Sequence, residues 1–348
     1  MIRLKKSSGL LILLVILGVF VGLVNRSSLP VWKARTQPAK PTIQPLKNTK
    51  QPVPQQFNVA NGEGNDEDYS SLTTEAIWKN LLTGFREGKN AQIGLEDALI
   101  ERLQKEPDSP IYKELLSLFR QGGLQGFAQQ VLVSILGEVG NYPSAETLIR
   151  LVNDGLLYEA DVKLTAAHAI SKFTPELWHG HPNTEFAPLF EAAWQTDDSA
   201  YWSAIADVMA SIGTSSTLDI FNETLQDNVN PERVKIVKQA MTNLVNPALV
   251  PKLADTLEDA SSENVQLASG NALAHMGELK AATALYDWSK QVDAGKVGLV
   301  TNWFETAMNT TPGFVGYLEK NLPDQNFAAP EIKQAITSVL KELKNDVE

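Results

Sequence analysis

Residues 250–277 read VPKLADTLEDASSENVQLASGNALAHMG, and the spacing that runs through this stretch decides the fold. Its apolar residues continue on both sides at a fixed interval of 32 residues. Three columns of apolar residues share this interval: Ile212, Leu244, Met276, Met308 and Leu340; Val208, Ala240, Ala272, Phe304 and Ile336; and Leu189, Phe221, Leu253, Leu285 and Tyr317. Such a period predicts one supersecondary unit that is copied and stacked, because each copy must bury its apolar face on the next.

Two stretches of the chain resemble the HEAT-repeat consensus of bacterial proteins, in the form known from phycobilisome lyases. Residues 250–277 carry its V-P-x-L-x-x-x-L opening, an aspartate between units and an A-x-x-x-A-L-x-x-M-G ending. Residues 126–154 (GFAQQVLVSILGEVGNYPSAETLIRLVND) are similar to the same form. The resemblance covers residues 125–348. It implies an all-α, right-handed α-solenoid of stacked antiparallel helix pairs, and a protein-binding scaffold rather than an enzyme.

The chain also departs from that consensus. Lys235 and Gln266 stand where the consensus has arginine. Phe173 and Ile212 are 39 residues apart, so one unit carries an insertion of seven residues. Residues 72–124 have helical patterns without the period and are expected to form an N-terminal cap, and residues 330–344 are expected to form a C-terminal capping helix.

Glycine and aspartate residues are expected at the ends of the helices in the repeats. Gly140, Gly213 and Gly277 are placed to end the first helix of a pair, because glycine adopts the left-handed conformation after a helix. The aspartates that lie between pairs are expected to cap the next helix at its N-terminus. These are Asp154, Asp197, Asp198, Asp227 and Asp259.

The N-terminal segment predicts a membrane anchor. Residues 1–8 are basic, and residues 9–25 form an uncharged, mainly apolar run that is close to a full membrane span. A cleaved signal peptide is the alternative, but no small-x-small cleavage site follows the run, so we favour an uncleaved single-pass helix. Basic residues flank the run on both sides and decide the orientation weakly; we expect a cytoplasmic N-terminus and an exported body.

Residues 26–71 are predicted to be a disordered linker that is basic and proline-rich at first and acidic at its end. It resembles the Lys/Pro linkers of cell-envelope proteins. Together with the anchor, it predicts a protein of the bacterial inner membrane whose body lies in the periplasm.

Charge and composition exclude several function classes. Nine of the 30 basic residues and none of the 41 acidic residues lie in residues 1–62, which leaves a net charge of −20 on residues 63–348. This charge argues against nucleic-acid binding and favours a basic partner. The chain has no cysteine, which rules out disulfides and thiolate chemistry. It holds no phosphate loop, nucleophile elbow or H-E-x-x-H motif, so we expect no enzyme activity, no cofactor and no small-molecule substrate.

A column of acidic residues is the main candidate for a binding site: Glu191, Glu223, Asp255, Asp287 and Glu319, each one period apart. Each follows a core position by two residues, about 200° around a helix, and therefore faces away from the core. In HEAT arrays the second helices line the concave surface, so these carboxylates are expected to form a row there. The alternative is a solvated acidic ridge without a ligand.

The insertion offers a second candidate. It contains Trp178, His179 and His181. The two histidines could ligate a metal with a third ligand such as Glu185, but a protein-contact loop is favoured over a metal site. The alternative is a structured loop with Trp178 packed on the repeats. Trp288, beside Asp287, is a further candidate for partner contact. The favoured function is a tethered scaffold that binds a protein partner; the alternatives are a lyase-like or other enzyme-accessory subunit and a structural spacer.

Overall fold

The computed structural model describes residues 69–89, 93–174, 184–227, 230–259 and 262–345. Within these ranges the chain forms 16 α-helices and no β-strand, which confirms the all-α class. The helices are α1 (Thr74–Arg86), α2 (Ile93–Lys105), α3 (Ile111–Gln121), α4 (Gly126–Val139), α5 (Tyr142–Asn153), α6 (Ala160–Ser171), α7 (Ala187–Ala193), α8 (Trp202–Ile212), α9 (Ser215–Gln226), α10 (Pro231–Met241), α11 (Val250–Asp259), α12 (Glu263–His275), α13 (Leu279–Ser289), α14 (Val297–Thr310), α15 (Phe314–Asn321) and α16 (Pro330–Asn345).

The helices pack in two sets that alternate along the chain. Each even-numbered helix from α2 to α14 contacts the next even-numbered helix. Among the odd-numbered helices, α3, α5, α7 and α9 contact one another in succession, as do α11, α13 and α15. Helices that follow each other in sequence, such as α4 and α5 or α12 and α13, join the two sets. Helices that contact each other in space therefore belong to the same repeat unit or to units that are close to each other along the chain.

The three apolar columns lie in the core. The two columns that contain Ile212 and Val208 run through the even-numbered helices or directly after them, and the column that contains Phe221 runs through the odd-numbered helices. Most members are at most 7% exposed, and Leu189, Tyr317 and Leu340 are partly buried and pack against the same cluster. The residues that recur every 32 positions in the sequence are therefore the buried ones, as predicted.

Polar side chains also bridge successive units. The Trp303 indole Nε1 donates to Asn271 Oδ1 at 2.7 Å, across a separation of 32 residues. Asn246 Nδ2 donates to the carbonyl oxygen of Gly213 at 2.9 Å. In the N-terminal part, Trp78 Nε1 donates to Glu114 Oε2 at 2.8 Å and joins α1 to α3. Residues that lack the sequence period thus extend the same arrangement of helices.

The glycine stops are confirmed. Gly140 and Gly213 are the C-caps of α4 and α8, both in the left-handed conformation. Gly277 follows the C-cap of α12 with a φ of 73°. The chain can reverse after each of these helices because glycine carries no Cβ that would clash at positive φ.

The expected aspartate caps are mostly wrong. Asp154 and Asp227 are C-caps of α5 and α9, and Asp259 is the last residue of α11. Of these five aspartates, Asp198 accepts a capping hydrogen bond, at the 3-10 turn before α8. The N-caps of the helices that follow these aspartates, α6, α10 and α12, are Glu159, Asn230 and Ser262, which stand directly before their helices. A cap must occupy that position, and the aspartates lie too far from it.

The two ends of the body are ordered helical segments. Tyr69–Ser71 forms a 3-10 turn, so the folded part begins before residue 72. The expected C-terminal capping helix is α16, which packs on α14. The predicted anchor (9–25), almost all of the predicted linker and the insertion residues Trp178, His179 and His181 lie outside the described residues. In the part of the chain that the structure describes, no helix is long and apolar enough to cross a membrane.

Candidate functional site

The five acidic residues of the column lie on five successive odd-numbered helices. Glu191, Glu223, Asp255, Asp287 and Glu319 belong to α7, α9, α11, α13 and α15, respectively. All are exposed except Glu191, which is partly buried. The residues two positions earlier on α9, α11 and α13 are fully buried, so the carboxylates face away from the core as the helical angle predicts. We refer to these five residues as the acidic column.

Three hydroxyl groups donate hydrogen bonds to the carboxylate of Glu191. Thr214 Oγ1 and Thr217 Oγ1 each donate to Glu191 Oε1 at 2.9 Å. Ser216 Oγ donates to Oε2 at 3.0 Å. Thr214 is also the N-cap of α9, so this carboxylate holds the first turn of the next helix of its set. Glu191 therefore has a structural role within the array.

Two further members of the acidic column form ion pairs with lysines. Asp287 Oδ1 lies 2.6 Å from Lys290 Nζ, one turn later on the chain. Glu319 pairs with Lys344 of α16. Such exposed pairs contribute only about 0–1 kcal/mol to stability. Their effect here is to reduce the negative charge at the C-terminal end of the column.

The two residues in the middle of the acidic column have no compensating cation among the described residues. Among the described residues, neither Glu223 nor Asp255 forms an ion pair or a side-chain hydrogen bond. Both side chains are exposed, on α9 and α11. The strongest attraction for a cation is therefore expected on these two helices.

A cavity of about 440 Å³ adjoins Glu223. It lies where α7, α9 and α10 meet the start of α8. Two tryptophans, one arginine and three acidic residues line it: Trp194, Trp202, Arg233, Asp197, Glu223 and Asp227. Three carboxylates and one guanidinium give this cavity a net negative charge.

Two indole rings and a carbonyl group fix Arg233. Its guanidinium carbon lies 4.5 Å from the ring centre of Trp202 and 5.1 Å from that of Trp194. Its Nη2 donates to the carbonyl oxygen of Thr196 at 2.6 Å. Burial lowers the pKa of Arg233, and the negative charge of Asp197 opposes that shift. The cation–π contacts hold the guanidinium in place without a carboxylate partner among the described residues.

The tryptophans are themselves held by hydrogen bonds. Trp202 Nε1 donates to the carbonyl oxygen of Thr196 at 2.8 Å, and Trp194 Nε1 donates to Thr224 Oγ1 at 3.3 Å. Both rings are almost fully buried. The apolar wall of the cavity is therefore rigid, whereas Glu223 and Asp197 at its rim are exposed.

A second cavity, of about 380 Å³, lies on the other side of Glu223. Asp219, Asn222 and Asp259 are among the residues that line it. Lys252 Nζ lies 2.6 Å from Asp219 Oδ1 and compensates part of the charge there. Glu223 thus lines both cavities, each of which has three acidic residues and one compensating cation, Lys252 in one and Arg233 in the other.

The sequence analysis missed the contribution of three residues. The sequence assigned no binding role to Trp194, Trp202 or Arg233. A signal did exist, since Arg233 follows Thr196 by 37 residues, close to one repeat, and so reaches the loop of the preceding unit. Nothing in a single sequence shows that the three side chains stack. The structure alone brings them to one cavity.

Trp288 differs from the expectation. Its side chain is 5% exposed, and its ring centre lies 5.3 Å from that of Trp303. The indole packs between α13 and α14, so little of it is left to contact a partner. Trp178, His179 and His181 fall outside the described ranges, and within those ranges no group of three or more His, Cys, Asp or Glu residues is arranged to hold a metal ion.

No family model matches the chain, and no curated protein shows significant similarity to it.

Proposed function

We propose that the helical body is a HEAT-type α-solenoid and that the protein is a membrane-tethered scaffold of the bacterial cell envelope. The alternating sets of helices support the architecture, since each even-numbered helix from α2 to α14 contacts the next even-numbered helix and most odd-numbered helices contact the next odd-numbered one. The resemblance of residues 126–154 and 250–277 to the HEAT consensus supports the family. In this proposal the odd-numbered helices line the concave surface, and residues 9–25 anchor the chain in the inner membrane.

The partner is a protein with a basic, extended segment. The observation that carries this function is the acidic column, which sets one carboxylate on each of five successive odd-numbered helices. Its central members Glu223 and Asp255 have no cation of their own among the described residues, and residues 63–348 carry a net charge of −20. A row of such charges attracts a basic segment along several units, where a single exposed ion pair would contribute little.

Charge reversal tests this function. A triple variant with Glu223→Lys, Asp255→Lys and Asp287→Lys should lose its partner in a crosslinking pull-down from membranes that contain the anchored full chain. The control variant carries Glu232→Lys, Glu263→Lys and Glu305→Lys, three exposed acids on the even-numbered helices α10, α12 and α14. It makes the same change in charge on the other set of helices. Equal recovery of the partner with both variants would favour the alternative of a solvated ridge and a structural spacer.

A topology experiment tests the envelope location. Alkaline phosphatase or a fluorescent reporter is fused after Glu348 and expressed in a Gram-negative host. We expect active phosphatase and a dark reporter, because the phosphatase folds with its disulfides only outside the cytoplasm. A bright reporter with inactive phosphatase would place the body in the cytoplasm and remove the envelope from the proposal.

A further inference from the structure

The acidic column does not offer five equivalent sites. Hydroxyl groups donate hydrogen bonds to Glu191, and lysines form ion pairs with Asp287 and Glu319. Of the remaining two, Glu223 alone lies at the cavity beside Arg233, whereas Asp255 is exposed and lines neither of the two cavities described above. The structure therefore distinguishes one member of the column from the others.

The cavity beside Arg233 has the features that a lysine side chain requires. Its volume of about 440 Å³ exceeds that of one side chain. The isoleucine Ile220 and the two indoles supply apolar surface for the methylene groups of a lysine. The carboxylates of Glu223 and Asp197 stand exposed at the rim, where an ammonium group would donate hydrogen bonds to them.

Arg233 favours this occupant over an anion. The indoles and the carbonyl of Thr196 hold its guanidinium against the wall of the cavity. An anion at the guanidinium would also lie in a cavity that three carboxylates line. A cation meets those carboxylates first, and their combined charge exceeds that of the single arginine.

We propose that this cavity is the anchor point of the partner site and takes one lysine side chain of the basic segment, with Glu223 as the main contact of its ammonium group. This inference rests on the proposed function and narrows it. The acidic column then steers the segment, and the cavity fixes its register. Loss of charge at Glu223 weakens binding much more than the same loss at Asp255.

The test uses the full chain in detergent and a fluorescein-labelled peptide of twelve alternating lysine and alanine residues. Fluorescence anisotropy gives the affinity for the wild type, for Glu223→Gln and for the matched control Asp255→Asn. We expect Glu223→Gln to weaken binding about tenfold, since it removes a charge-assisted contact, and Asp255→Asn to change it less than about twofold. Both residues are exposed, so neither variant should affect folding.

Thiol protection checks where the peptide binds. The chain has no cysteine, so Gln195→Cys places a single thiol at the rim of the cavity, and Asn302→Cys places one on an exposed face of α14. The lysine peptide should slow the reaction of the thiol at position 195 with a colourless aromatic disulfide reagent and leave that at position 302 unchanged. A peptide with acetylated lysines should protect neither.

The possible outcomes separate the two proposals. If the wild type does not bind the lysine peptide, both the basic-segment function and the anchor point are overturned. If it binds, but Glu223→Gln and Asp255→Asn weaken binding equally and position 195 is not protected, the anchor point is overturned and the acidic column stands. Unequal weakening together with protection at position 195 supports the anchor point.

Discussion

Individual charged residues in this protein act mainly between units, and Asp198 shows how. It caps the 3-10 turn before α8 through the backbone N–H of Ala200 at 3.1 Å. It also accepts a hydrogen bond from Lys163 Nζ of α6 at 2.7 Å. The hydrogen bond from Lys163 is the largest cause that lowers the pKa of Asp198 in the folded protein. One carboxylate therefore joins two successive helices of the even-numbered set.

The lowered pKa predicts a pH-dependent contribution to stability. Because the folded pKa lies below the unfolded value of about 3.9, the contribution is complete above that value and is lost as the pH falls through the folded pKa. Asp198→Asn keeps a capping side chain and removes the charge, so Tm should fall by about 1–3 °C near neutral pH, consistent with a partly exposed pair worth up to about 1 kcal/mol. The difference should shrink as the pH falls from about 4 to 3. Asp255→Asn is the control, and a pH-independent difference for Asp198→Asn would contradict the assignment.

For individual residues, the sequence predicted the helical face on which a side chain lies better than it predicted the contacts of that side chain. The 32-residue spacing placed Glu223 and Asp255 on exposed helical faces, because orientation on a helix depends only on the count of residues from a buried position. It did not show that Glu191 accepts hydrogen bonds from three hydroxyl groups or that Glu319 forms an ion pair with Lys344. Those contacts depend on side chains outside the helix that carries each acid. Arg233 and its two tryptophans were missed for the same reason.

Among the elements, the close approach of α4 and α6 depends on a glycine. A Cβ on Gly137 would lie 2.8 Å from both Cα and Cβ of Ala169, which is closer than such atoms can approach. Helix propensity alone would favour alanine at this position. The contact between the two helices therefore outweighs the conformational cost of the glycine in α4.

This contact predicts opposite effects for one substitution at two sites. Gly137→Ala should destabilise the protein by about 1–3 kcal/mol, because the backbones of α4 and α6 must separate. Gly316→Ala in α15 meets no atom within 4 Å and should stabilise it by about 0.5–1 kcal/mol. Thermal unfolding followed by circular dichroism measures both. If both variants shift Tm in the same direction, the close approach of α4 and α6 does not limit the size of residue 137.

Helix ends were predicted where one residue type has a strong local cause. Pro330 opens α16, and Gly140 and Gly213 are C-caps. The N-caps were harder to predict, because several polar residues in each connection compete for one position. The residue next to the helix takes that position, as Asn230 does before α10, rather than the aspartate that marks the end of the preceding unit.

At the scale of the whole molecule, the 32-residue period indicated the arrangement of the core before any contact was known. Equal spacing requires that equivalent residues meet equivalent neighbours, and the column from Val208 to Ile336 is buried throughout. The N-terminal helices α1–α3 join the same arrangement without the period, since only the type of packing must be kept at an end of the array. Residues 1–68 and 175–183, where the anchor and the histidines are predicted, lie outside the described residues.

The proposed α-solenoid predicts that the effect of a core substitution stays local. Ile336 in α16 and Leu136 in α4 are both fully buried, and replacement of either by alanine should cost about 2–5 kcal/mol. Because α16 packs on α14, far along the chain from the N-terminal helices, Ile336→Ala should reduce hydrogen-exchange protection in α14, α15 and α16 and leave α2–α6 unchanged. Leu136→Ala should reduce protection in α2 and α4–α6 and leave α14–α16 unchanged. Hydrogen exchange followed by mass spectrometry of peptides resolves these regions. A uniform loss of protection in both variants would indicate one cooperative core and would contradict the proposed α-solenoid.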